Sequence, residues 1–214
     1  MKRILFQGDS ITDCNRARDN DIQVGLGYAR LIKSYLGFEC PNEYEFINKG
    51  ASGDRIVDMY ARVKRDIINL SPDYISILIG VNDVWHELDA QNGIDADKYE
   101  KIYSMTIEEI QEALPNVKIM IMEPFCLKGS ATDNAMEPER WITFSTEVKK
   151  RAERARKVAQ RYGLTFVELQ KVFEQTAVVK GNTCLMIDGV HPTEVGHELL
   201  KREWLDAFRK MTTA

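Results

Sequence analysis

Five short apolar runs, at residues 4–6, 44–47, 74–79, 117–122 and 164–167, recur along the chain with helix-patterned stretches between them. A strand covered on both faces needs apolar residues at consecutive positions. Strands separated by helices pair in parallel, because a crossover brings the chain back to the same end of the sheet. The pattern predicts βαβ units on a mostly parallel five-stranded sheet. Ile56, Met59, Tyr60, Val63, Ile67 and Leu70 recur at helical spacing, as do Tyr99, Ile102, Tyr103, Thr106, Ile110 and Leu114, so each set is expected to cover one face of the sheet. A further stripe runs through Val148, Ala152, Ala155, Val158, Ala159 and Tyr162. The lysines and arginines around it, interleaved with Glu147 and Glu153, read as a solvated helix face. Pro192-Thr193 opens a last helix with Val195, Leu199, Leu200, Trp204 and Phe208 turned inward. Residues 123–140 carry Pro124, Gly129, Asn134 and Pro138 and read as irregular, and a long loop leaving a parallel strand is placed to wall a binding site.

The chain has 214 residues and no linker, repeat or low-complexity tract, which predicts a single domain over 1–214. A formal charge of −4 gives no attraction to a phosphate backbone, so nucleic acid is not an expected partner. No apolar run reaches the ~20 residues that a membrane span requires. Lys2-Arg3 leads straight into the first strand without a cleavage site, and a cytoplasmic protein is expected. The four cysteines, Cys14, Cys40, Cys126 and Cys184, lie apart with no metal-ligand spacing and read as buried free thiols. No metal or other cofactor is expected.

In an open parallel sheet, ligands sit beyond the carboxyl ends of the strands. The first exit carries Gly8-Asp9-Ser10, the second Asn48-Lys49-Gly50-Ala51-Ser52-Gly53-Asp54 and the third Gly80-Val81-Asn82-Asp83; near the C-terminus comes Asp188-Gly189-Val190-His191. Taken singly, each also reads as a turn or helix cap, with Asp9, Asn82 or Asp188 bonding local backbone. The three histidines narrow the choice. A general base needs a partner that fixes its tautomer, and His191 has Asp188 three residues upstream. His197 lies inside the last helix and reads as structural or exposed. His86 follows Trp85 near the third exit as a rim residue without an acid partner. His191 and His197 lack the HExxH spacing that would put two ligands on one helical turn.

Together, "GDSITDCNRAR", "INKGASGD", "ILIGVNDVW", "EPF" and "DGVHPTEVGH" resemble the SGNH hydrolases, or GDSL esterase/lipase family, in order and from Phe6 to His197. The wording is similar to small bacterial members that include xylan and other carbohydrate acetylesterases, with Asn15 a departure from their usual DCGR. The resemblance implies a three-layer α/β/α, flavodoxin-like sandwich. It also implies Ser10 as nucleophile, His191 as base, Asp188 as the acid of the triad, and Gly53 and Asn82 as oxyanion-hole donors beside the N–H of Ser10. Ser10 is not in a GxSxG elbow, which sets the chain apart from α/β-hydrolases.

The expected chemistry is hydrolysis of short-chain O-acyl esters, acetyl first, of sugars or polysaccharide fragments. A general short-chain carboxylesterase, thioesterase or lysophospholipase uses the same machinery. A non-catalytic phosphate or sugar binder is a third reading, opposed by Asp9 beside Ser10 and by the absence of a phosphate-loop motif. Trp85 and Phe125 are candidates to stack on a sugar ring. Asp9 is a candidate to touch substrate or, with more weight, to brace its loop. The expected partner is a small acetylated molecule, with neither nucleic acid nor membrane, and relatives of this kind are often homo-oligomers.

Overall fold

The apolar runs become the five strands of one sheet: β1 (Lys2–Gly8), β2 (Tyr44–Asn48), β3 (Tyr74–Leu78), β4 (Lys118–Met122) and β5 (Thr165–Val167). The computed structural model describes residues 1–213. Strand order is β2-β1-β3-β4-β5, and every pairing is parallel. Ten α-helices are described with them: α1 (Ser10–Asp13), α2 (Tyr28–Glu39), α3 (Ile56–Tyr60), α4 (Val63–Asp66), α5 (Val81–Ala90), α6 (Ala96–Ala113), α7 (Arg140–Arg161), α8 (Gln170–Lys180), α9 (Asn182–Leu185) and α10 (Glu194–Thr213).

The period of two within each strand assigns the layers. Ile4 and Phe6, Tyr74 and Leu78, and Met120 and Met122 pack with Tyr28, Ile32, Phe173 and Trp204 from α2, α8 and α10. The residues between them, Leu5, Ile75, Ile77, Ile119 and Ile121, pack with Ile56, Val63, Tyr103, Ile107 and Val158 from α3, α4, α6 and α7. The result is a three-layer α/β/α, flavodoxin-like sandwich. Part of the basic face of α7 pairs with α6, where Arg154 meets Asp97 at 2.7 Å and Glu100 at 3.1 Å and Arg161 meets Glu100 at 2.6 Å, while Lys149, Lys150 and Lys157 stay exposed. Arg151 departs from that face. It is buried and donates to the Ile94 carbonyl at 2.6 Å.

Four expectations are corrected. Residues 56–70 hold their apolar spacing but break into α3, α4 and a 3₁₀ turn over Ile68–Leu70. At the break, Arg62 reaches back to Asp54 and forward to Asp66. Val195 faces outward, because Gly196 and His197 take the inward side of α10, with Gly196 against the Leu185 carbonyl. Of the four thiols only Cys126 is buried; the other three are half-buried. Residues 123–140 lie behind the site and do not wall it. Their Leu127 and Ala131 N–H groups donate to the Gly189 and Asp188 carbonyls, both at 2.9 Å. No helix among the described residues is long and apolar enough to cross a membrane.

Candidate active site

The order β2-β1-β3 reverses direction at β1, and a doubly wound sheet opens a crevice at such a switch point. Ser10 follows β1, Gly53 follows β2 and Asn82 follows β3. All three line one cleft of about 490 Å³ together with Trp85, His86 and His191.

At the end of β1, Gly8 passes so close to β3 that a Cβ there would sit 2.2 Å from the Leu78 carbonyl oxygen. Asp9 accepts the Ile11 N–H at 3.0 Å and so starts α1 at Ser10. Asp9 is only 1% exposed and does not line the cleft. It braces the turn, and its expected contact with substrate is corrected. Burial pushes its carboxyl up to about 7, against the pull of the Ile11 N–H and of His191.

The Ser10 Oγ stands 3.0 Å from Nε2 of His191, whose Nδ1 stands 2.7 Å from Oδ2 of Asp188. The other Asp188 oxygen accepts the N–H groups of Val190 at 2.9 Å and His191 at 2.8 Å. Burial alone would raise the Asp188 carboxyl. The hydrogen bonds from the His191 ring and from the two backbone N–H groups outweigh it and bring the group to about 2. An ionised Asp188 requires the proton on Nδ1, which leaves the Nε2 lone pair to accept the Ser10 O–H. The same hydrogen bond raises His191 above the ordinary histidine value, with burial partly opposing it.

Asn82 is buried, and its amide nitrogen donates one hydrogen to the Asp54 carbonyl at 3.0 Å, which fixes the side chain and leaves a second N–H on the same nitrogen. Gly53 has φ +83°, a conformation open to glycine and strained for other residues. Its loop is tied to the turn that carries Ser10 by Asp13, the last residue of α1. The Asp13 carboxylate accepts the N–H and O–H of Ser52, both at 2.9 Å, and pairs with Arg18 at 2.5 Å. Sequence reading missed Asp13. Its position three residues after Ser10, on the same helical turn, was the available signal.

Trp85 lines the cleft, its ring 5.8 Å from that of His191. Phe125 does not. It is fully buried, its ring 4.3 Å from that of Phe173 and tilted 34° to it, because the chain leaving β4 turns it to the α8 side of the sheet. Its expected stacking role is corrected. His197 is structural: its Nδ1 accepts the Tyr28 N–H at 3.1 Å, tying α10 to α2, and burial lowers it to about 4.

The profile of the GDSL-like lipase/acylhydrolase family matches residues 6–199. An acetylxylan esterase from Geobacillus stearothermophilus is 33% identical over 213 residues, covering 95% of this chain and 92% of that one. The crystal structure of Axe2, an acetylxylan esterase from that organism, superposes with a TM-score of 0.83 at 30% identity, over 96% of this chain and 93% of the other. Axe2 has also been solved as two catalytic mutants with TM-scores of 0.84 and 0.83, each 29% identical to this chain and covering 96% of it and 93% of its own length. One replaces an aspartate with alanine and the other a serine. The chain belongs to the GDSL-like lipase/acylhydrolase family, the SGNH hydrolases, and is a carboxylic ester hydrolase.

Proposed function

We propose that this esterase removes acetyl groups, and other short O-acyl groups, from sugars or short oligosaccharides through a Ser10–His191–Asp188 triad. The observation that carries the reading is the continuous line of hydrogen bonds from Ser10 Oγ through the His191 ring to Asp188, at 3.0 and 2.7 Å, at the wall of the cleft.

On this reading the Nε2 lone pair takes the Ser10 proton as Oγ bonds to the ester carbonyl carbon. The charge that develops on the carbonyl oxygen meets the N–H groups of Ser10 and Gly53 and the second amide N–H of Asn82. Asp188 stabilises the imidazolium, which then gives its proton to the departing alcohol oxygen. Water repeats the sequence on the acyl-enzyme, its proton passing to His191 and on to Ser10 as the acid leaves.

Two observations support a sugar as the alcohol. The leaving oxygen must approach His191 to receive its proton, and the Trp85 indole flanks that ring, offering a flat apolar face. Among the similar proteins, Axe2 is described as an acetylxylan esterase and as an acetyl-xylooligosaccharide esterase.

The test is a panel of acetylated xylo-oligosaccharides against aryl acetate, butyrate and octanoate, scored by kcat/KM in the parent and in Ser10→Ala. Acetylated saccharides and aryl acetate should be hydrolysed, octanoate should be the poorest aryl ester, and Ser10→Ala should lose nearly all turnover. Rates that rise with acyl length, or saccharide esters left intact, would defeat the substrate assignment.

A further inference from the structure

Arg140 begins α7, outside the cleft lining, with its side chain only 8% exposed. Its guanidinium reaches three separate pieces of chain. Nε donates to the Ala131 carbonyl at 2.9 Å, one terminal nitrogen meets Glu137 at 3.1 Å and the other meets Oδ1 of Asp89 at 2.7 Å. Oδ2 of Asp89 accepts the indole N–H of Trp85, one turn back on α5, at 2.7 Å. Opposite that bond, the Trp85 ring meets Phe144 edge-on at 6.2 Å and an interplanar angle of 70°. The indole is thus held at its polar end and against its body, 5.8 Å from the His191 ring and tilted 52° to it.

A carboxylate as exposed as Asp89, at 48%, would by itself hold a neighbour weakly. Here it is pinned by a largely buried, planar guanidinium whose Nε and other terminal nitrogen are themselves engaged by Ala131 and Glu137, so the freedom it has to lose is small. With its only polar atom engaged by Asp89, Trp85 has nothing left but its ring face to offer a ligand.

We propose that Arg140 is a positioning residue for substrate selection: through Asp89 it fixes the Trp85 indole as a stacking wall for a ring-shaped leaving alcohol beside His191. This rests on the reading that His191 hands its proton to that alcohol. A competing route is also visible. The Ala131 residue that accepts from Arg140 donates its own N–H to the Asp188 carbonyl at 2.9 Å, so Arg140 could act instead on the acid–base turn. The two routes separate by substrate. Loss of a stacking wall affects only esters that carry a ring, and affects them in binding. A disturbed Asp188–His191 turn slows every ester, in turnover.

The experiment compares Arg140→Ala, Asp89→Ala and Arg140→Lys with the parent on ethyl acetate, phenyl acetate and an acetylated xyloside. The two alanine variants should raise KM for ring-bearing esters about five- to tenfold with little change in kcat, and lower the ring-over-ethyl selectivity ratio by the same factor. Their tryptophan emission should be quenched more readily by acrylamide. Arg140→Lys keeps the charge facing Asp89 and should recover most of the ratio. An equal fall on all three esters, lodged in kcat and joined to a shifted pH profile, would assign Arg140 to the acid–base turn and overturn the proposal, as would an unchanged ratio. If the parent ignores the xyloside while phenyl acetate responds as described, the saccharide reading fails and the role of Arg140 stands. Should Arg140→Ala fail to fold by circular dichroism, Asp89→Ala carries the comparison from an exposed helix position.

Discussion

On the proposed mechanism the chemistry at Ser10 turns on which nitrogen of His191 holds a proton, and Asp188 decides that. Asp188→Asn can present its amide N–H to Nδ1 and so favour the wrong tautomer. Its kcat should fall by about 10³–10⁴-fold, measured on aryl acetate with the fold checked by circular dichroism. The same bond raises His191, and the base must be neutral to act. The acid limb of kcat/KM should therefore be centred above the ordinary histidine value of 6.5. A limb centred below 6.5 would contradict a histidine held by Asp188. Asn82→Ala should cost about 10²-fold in kcat with a smaller rise in KM, because its bond strengthens as charge develops on the oxygen. A loss confined to KM would make Asn82 a binding residue only. Ser10, Gly53 and Asn82 could be singled out in the sequence because each stands in a short block at a strand exit, and Asp188 and His191 because an acid three residues before a histidine marks a turn that can join the two. Asp89 and Arg140 were not legible, because what they do depends on partners brought in by packing, and Asp13 showed only its place on the helical turn of Ser10. Phe125 was misread for a related reason: an aromatic residue after a strand carries no mark of the sheet face it will join.

At the level of elements, the β1–α1 junction is the tightest piece of construction. A Cβ on Gly8 would meet the Leu78 carbonyl oxygen at 2.2 Å and the Thr12 hydroxyl at 2.5 Å. The first of these is backbone inside a central strand and cannot move without disturbing the β1–β3 pairing. Gly8→Ala should destabilise the protein by about 1–3 kcal/mol in urea titrations and lower kcat as well, since the strand that must shift is the one that presents Ser10. Wild-type kcat in that variant would mean that the junction relaxes without moving Ser10. Four strands were read from the sequence to within a residue, and β1 two residues short at each end, because consecutive apolar positions leave little else to form. The helical segment over 56–70 was read less well. Its apolar spacing survives two breaks, since Ile56, Met59, Val63 and Ile67 still reach the core, and the ion pairs of Arg62 across the break, with the buried Asp54 and Asp66, leave no mark on that spacing.

Across the whole molecule, the carboxyl edge of the sheet concentrates acids in a place that excludes water. Asp9 and Asp83 are 1% and 0% exposed, and burial raises them to about 7 and about 8. In an unfolded chain both would titrate near 3.8, so between there and their folded values the native state holds protons that the unfolded state has released. Stability must fall as pH rises through that interval. His191, also raised, has the same sign above 6.5. His197, lowered to about 4, has the opposite sign and adds stability as pH rises from 4 to 6.5. The histidine that opposes the decline thus ceases to do so near neutrality. From about pH 6.5 to 8 the protein should lose stability steadily in denaturant titrations, and Asp83→Asn, which cannot ionise, should flatten that slope. An unaltered slope in the variant would show that Asp83 is ionised in the native protein across the whole range. His191, raised by Asp188, becomes neutral above 6.5 as well, and on the proposed mechanism the Ser10 hydroxyl then gains its base. Turnover should therefore rise with pH while stability declines, and the optimum for activity should lie on the alkaline side of the optimum for stability.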